Sequence, residues 1–76
     1  MDQYRLYRRP DGKWYEPVLA TQDQDYATDW AIRYSAESPR NVTHTVWRQP
    51  FETHPNFNRV RKPTGEQVSA EHRGRK

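Results

Sequence analysis

Cysteine is absent from this chain, and with it disulfides, thiolate nucleophiles and thiolate metal ligands. No apolar run approaches the roughly 18 residues of a membrane-spanning helix. Met1-Asp2-Gln3-Tyr4 opens no signal peptide, so a cytoplasmic protein is expected. Aliphatic side chains are scarce: two leucines, one isoleucine and five valines among 76 residues. With only three glycines there is no glycine-rich phosphate loop. His44, His54 and His72 have no metal-ligand spacing, and no serine sits in a nucleophile elbow. The expectation is a protein without catalytic residues, metal or cofactor.

What the chain does have is aromatic mass: three tryptophans, five tyrosines and two phenylalanines. A chain this short obtains little from one core, so Trp14, Trp30 and Trp47 are expected to supply much of it. A mean hydropathy of −1.40 means that not all of the chain can be inside that core. The net charge is +3 and unevenly spread. Residues 1–15 carry four basic groups against two acidic, residues 16–47 two against five, and residues 48–76 seven against three. An acidic middle between basic ends suits an anionic partner for the ends or a cationic one for the middle.

Period-two alternation marks three strands. Tyr4, Leu6 and Arg8 share one face of the first, and Arg5, Tyr7 and Arg9 the other. Pro10-Asp11-Gly12 supplies a fixed φ, an Asx acceptor and a residue tolerant of positive φ, the parts of a hairpin turn. Lys13 to Ala20 returns as the second strand, on an edge or with a bulge because Pro17 has no N–H to donate. Thr21 or Asp23 caps a helix in which Ala27, Trp30, Ala31 and Tyr34 form the core-facing stripe. Asp29 and Arg33 are spaced for an i,i+4 ion pair on the outer side. Ser38-Pro39 ends the helix. Asn41 to Arg48 alternates again, with Val42, His44 and Val46 inward and Thr43, Thr45 and Trp47 outward.

The fold predicted is α+β, a ββαβ domain over residues 1–50 with one helix on one face of a three-stranded sheet. A right-handed crossover from the second strand to the third puts the first in the centre and Pro17 on an edge. Residues 51–62, with Phe51, Phe57 and Val60, form an appended segment able to pack on the sheet. Residues 63–76, nearly devoid of apolar side chains, read as a flexible basic tail.

One helix covers one sheet face, which leaves Arg5, Tyr7, Arg9 and Trp47, with Arg48 beside them, as the expected partner-binding set. Trp, Tyr and Arg are the enriched anchors of protein interfaces. The same face suits nucleic acid, with Arg59, Arg61, Lys62, Arg73, Arg75 and Lys76 contacting phosphates. A further alternative is that the segment around Phe51, Phe57 and Val60 folds back over this face and buries it. Arg73-Gly74-Arg75 is similar to the Arg-Gly-Arg core of minor-groove AT-hook peptides, without their proline.

Three stretches carry a family likeness: Tyr15-Glu16-Pro17-Val18 leading into Ala20-Thr21, the helix end from Trp30 to Tyr34, and Val42-Thr43 through Val46 and Arg48 to Pro50. In these the chain resembles the small hairpin–helix–strand proteins of bacteriophages, in particular the podovirus inhibitors of bacterial RNA polymerase. Spacing through the hairpin and the helix–strand loop differs, and the basic tail is longer. A monomer or weak dimer is expected, and the resemblance implies a protein in the host cytoplasm that docks on a host protein complex and blocks it. It also implies arginines on or near the third strand as contacts, a position that Arg48 matches.

Overall fold

The computed structural model describes residues 1–76. Strand β1 (Asp2–Pro10) turns into β2 (Glu16–Thr21), helix α1 (Gln24–Glu37) follows, and β3 (Val42–Pro50) returns to the sheet. Two short strands, β4 (Glu66–Gln67) and β5 (His72–Arg73), complete it. The order is β2-β1-β3-β4, with β5 also on β3, and each pairing is antiparallel. This is an α+β architecture in which β1 lies between β2 and β3.

The hairpin forms where expected. Gly12 takes φ +73°, and Lys13 N–H donates to the Pro10 carbonyl at 3.0 Å. Leu6 faces Leu19 but Tyr7 faces Pro17, so Val18 is the extra residue of a bulge. Pro17 thus sits both on the edge strand and next to the bulge, where its missing N–H disturbs no ladder. Strand β2 begins at Glu16 rather than Lys13, because Tyr15 pairs elsewhere.

Asp23 caps α1, its carboxylate accepting from the N–H groups of Asp25 and Tyr26 at 3.0 and 3.2 Å. Thr21 accepts from the Asp23 N–H at 3.1 Å, just outside the helix. Ala27 and Ala31 are fully buried against Leu6 and Val46, and these small residues let the helix lie close to the sheet. Around that contact stand Tyr4, Val18, Leu19, Trp30, Tyr34 and Val68. Trp30 and Tyr34 lie 5.2 Å apart, and Tyr34 stacks on His44 at 5.8 Å. The expected Asp29–Arg33 pair does not form. Arg33 lies over the Trp30 ring at 5.3 Å instead, a contact at i,i+3 that also covers apolar surface.

Residues 63–76 are not a loose tail, which corrects the sequence reading. Gly65, at φ +86°, turns the chain so closely under Arg48 that a Cβ would lie 2.0 Å from its carbonyl oxygen. Residues 66–73 then run along the outer edge of β3, which would otherwise be an open edge. Val68 N–H donates to the Val46 carbonyl, and Gly74 N–H to that of Val42. Arg75 N–H donates to the Ser35 carbonyl, which also accepts from the Ser38 N–H of the helix cap, and Lys76 N–H to the carbonyl of Ser38 itself. The segment docks through its main chain, so its composition carries almost no trace of it.

Gly74 is the tightest point of this closure, since a Cβ there would lie 1.8 Å from the Pro39 carbonyl oxygen. Gly74→Ala is expected to destabilise the chain by more than about 2 kcal/mol in urea unfolding and to abolish amide-exchange protection at Arg75 and Lys76. Unchanged protection at those amides would refute this closure.

Candidate functional site

The face of the sheet turned away from α1 is covered, not bare. Residues 51–64 cross it as an irregular strap, held where Tyr15 and Val60 exchange backbone hydrogen bonds of 2.7 and 2.9 Å. Beneath the strap lie Gln3, Arg5, Tyr7, Thr43, Thr45, Trp47 and Gln49, all buried. Gln49 Nε2 donates to the Tyr7 hydroxyl and to the Thr64 carbonyl, and Trp47 Nε1 to Thr45 Oγ1. The Tyr15 ring stands edge-on to both Tyr7 and Trp47, each at 6.2 Å.

The expected contact set therefore does not form one exposed patch. Tyr7 and Trp47 are 2% and 6% exposed and belong to this second core. Arg5, 5% exposed, donates to the Asn56 carbonyl and lies against the rings of Tyr7 and Phe57. Arg9 is half-buried over Tyr15, its Nε donating to the Lys13 carbonyl. Arg48 points to the helix side of the sheet, as its register with Tyr4 requires, and pairs with Glu66 at 3.0 Å. The physical reason is area: one helix shields one face, and the strap supplies the aromatic contacts that shield the other.

The cations expected to meet nucleic acid separate into two groups. Arg73 pairs with Asp11 at 3.2 Å and donates to the Arg40 carbonyl at 2.7 Å, while Lys76 pairs with Glu37 at 3.1 Å. Arg75 is exposed, but its backbone is tied to Ser35. Arg59, Arg61 and Lys62 are exposed and take part in no ion pair.

Of these, Arg59 lies across a groove from Trp14. Because Tyr15 turns inward, its neighbour Trp14 turns outward and is 53% exposed, although it was expected in the core. Pro10, Gly12, Lys13, Trp14, Glu16 and Arg59 line an open groove of about 620 Å³ between hairpin and strap. Val60 faces Tyr15, so Arg59 and Arg61 flank it on the outside. Glu16, the one carboxylate of the groove, is engaged by Arg8 at 2.5 Å. The result is an exposed indole among cations that no acid in the chain neutralises. The adjacent pair Trp14-Tyr15 was the available signal, since in an extended chain the two cannot point the same way.

No family model matches this chain, and no curated protein or solved structure is similar to it at a significant level. The site is accordingly read from its own geometry. No three His, Asp or Glu side chains stand together as metal ligands. Ser35 Oγ lies 3.3 Å from His44 Nδ1, but both residues are buried, and the hydroxyl also lies 2.7 and 2.8 Å from the Ala31 and His72 carbonyls. That geometry packs the helix on the sheet rather than poising a nucleophile. No helix is long and apolar enough to cross a membrane.

His44 is 2% exposed, and its pKa is lowered from 6.5 to about 4. Burial is the chief cause, followed by the charge of Arg8 opposite it on β1 and by His72 on β5. The unfolded chain takes up a proton near pH 6.5 that the folded chain refuses until about pH 4. Stability is thus complete above pH 6.5 and falls as the pH drops toward 4. From pH 6.5 to 5 this group is expected to cost about 1.5 kcal/mol in unfolding free energy, and His44→Asn should remove that slope. An equal slope in the variant would assign the dependence to other groups. Trp47→Ala, a cavity in the second core, is expected to cost about 3–5 kcal/mol in the same assay. A loss below about 1 kcal/mol would mean that the strap does not seal this face.

Proposed function

We propose that this chain is a non-catalytic binding protein of phage type. In this reading it docks on a host protein machine, such as RNA polymerase or a defence complex, and inhibits or modulates it. The observation that carries the reading is Trp14, half-exposed in the hairpin groove with Lys13 and Arg59, the latter followed in the chain by the exposed Arg61 and Lys62. Tryptophan and arginine dominate the binding energy of protein interfaces, and an indole held on a rigid hairpin loses little entropy on docking. Unneutralised cations around it favour an acidic partner surface and raise the association rate.

The contact set moves with this observation. Arg9 and Arg48 are within reach of solvent, whereas Arg5, Tyr7 and Trp47 support the surface from beneath. A second reading, binding of nucleic acid by the same groove, is favoured by the run of Arg59, Arg61 and Lys62 and by the stacking surface of Trp14. The groove itself holds only two cations, Lys13 and Arg59, too few to follow a phosphate backbone, which ranks the protein partner first.

Capture of partners from a bacterial lysate, with and without nuclease, separates these. A stoichiometric protein is expected that survives nuclease and is released at least about 30-fold more readily by Trp14→Ala, with Arg59→Glu also weakening it. Capture that vanishes with nuclease, and whose affinity falls with salt at a log–log slope near −0.9 per phosphate, would install nucleic acid instead. Capture unaffected by Trp14→Ala in a folded variant would overturn both readings of the groove.

A further inference from the structure

The hairpin that carries Trp14 is fixed before any ligand arrives. Lys13 N–H donates to the Pro10 carbonyl, Asp11 N–H to that of Asn41 at 2.7 Å, and Arg9 Nε to that of Lys13 at 2.9 Å. Trp14, 53% exposed, and Pro10 therefore present flat apolar surface to the groove at little entropic cost. The groove, lined also by Gly12, Lys13, Glu16 and Arg59, has the size of a small-molecule site.

Its charges are already sorted. Both acids of this region are engaged, Asp11 by Arg73 and Glu16 by Arg8, whereas Lys13 and Arg59 take part in no ion pair. Two cations are too few to follow a nucleic-acid strand, but they match the charge of one phosphate dianion. Arg8 uses only Oε1 of Glu16, which leaves Oε2 as an acceptor in the groove. An aromatic plane, two cations and one acceptor thus line a single space. A ligand complementary to all of them carries a flat ring, a phosphate and a hydrogen-bond donor.

We propose that this groove binds a nucleoside monophosphate, with the base stacked on Trp14, the phosphate held by Lys13 and Arg59, and a sugar hydroxyl or base amino group donating to Glu16 Oε2. The ligand occupies the surface assigned above to a protein partner. It goes beyond that reading, because it binds the isolated chain whether or not a protein docks there.

The test is titration of the isotope-labelled full chain, following the Trp14 indole Nε1–H and the Arg59 Nε–H resonances by NMR. Adenosine monophosphate is expected to shift both saturably. Adenosine lacks the phosphate and ribose phosphate the base, and each is expected to bind at least about tenfold more weakly. Trp14 lies outside both cores and Arg59 is exposed on the strap, so Trp14→Ala and Arg59→Gln stay folded and each weakens binding by a similar factor. A short 5′-phosphorylated oligoadenylate distinguishes the sources: tighter binding than the monophosphate assigns the ligand to a strand end, weaker binding to the free nucleotide. Phenyl phosphate, which has ring and charge but no donor, is expected to bind several-fold more weakly. Equal binding of phenyl phosphate would overturn the nucleotide in favour of a phosphotyrosine-type ligand. No saturable shift up to millimolar adenosine monophosphate, or undiminished binding by Trp14→Ala, would also overturn the proposal. Trp14-dependent capture of a host protein would survive either result, so the two failures are told apart.

Discussion

Tyr15 and Val60 exchange two backbone hydrogen bonds at the point where the strap meets the hairpin, and most of the outer half of the molecule follows from that clamp. It turns the Tyr15 ring inward against Tyr7 and Trp47, and by strand alternation it turns Trp14 outward. It places Val60 inside and Arg59 and Arg61 outside. It also anchors the strap whose earlier residues, Asn56 and Phe57, cover Arg5. A sheet with a single helix has one face too many for a chain with so few aliphatic side chains. Here an irregular segment serves as the missing layer, using aromatic rings and an arginine where a larger protein would use a second helix.

The other half of the closure is made by main chain. The outer edge of β3 and the end of α1 both present backbone groups that need partners, and one stretch, residues 66–76, serves both. Gly65 and Gly74 stand at its two ends, each where a side chain would collide with a carbonyl. This arrangement also decides the electrostatics. By bringing Arg73 to Asp11, Lys76 to Glu37 and Glu66 to Arg48, it neutralises much of the basic C-terminal charge within the chain. Lys13 and Arg59 remain unpaired at the hairpin, beside the one tryptophan that neither core accepts. Function, on the proposed reading, sits where both folding demands have been met and charge remains.

Buried polarity is distributed with the same economy. His44 is kept neutral between Tyr34 and Ser35, with Arg8 and His72 nearby, and it ties stability to pH. Gln3 and Arg5, by contrast, hold donors that nothing in the chain satisfies. Each such group costs on the order of 1–3 kcal/mol. A fold of this size has little stability to spare, so these two donors stand out among its buried side-chain groups.

The amino-acid sequence by itself determined the ββαβ frame. Alternation in Tyr4–Arg9 and Asn41–Arg48, the Pro10-Asp11-Gly12 turn, the Asp23 cap and the Ala27–Tyr34 stripe are local signals, each enforced by sterics or periodicity within a few residues. The edge position of Pro17 was legible for the same reason, since a missing N–H is a property of one residue. The two sheet faces were also assigned correctly, but not which of them meets solvent, and the contact set named from Arg5, Tyr7 and Trp47 fell with that. Only the tertiary structure decided that the strap covers the outer face, that residues 63–76 pair with β3, and that Trp14 rather than Trp47 is exposed. These outcomes rest on backbone hydrogen bonds and aromatic contacts between residues far apart in the chain, such as Arg48 with Glu66, Tyr15 with Val60 or Arg5 with Asn56. A main-chain hydrogen bond has no residue signature, and a ring packs equally well in a core or an interface. Composition and spacing are therefore silent on both.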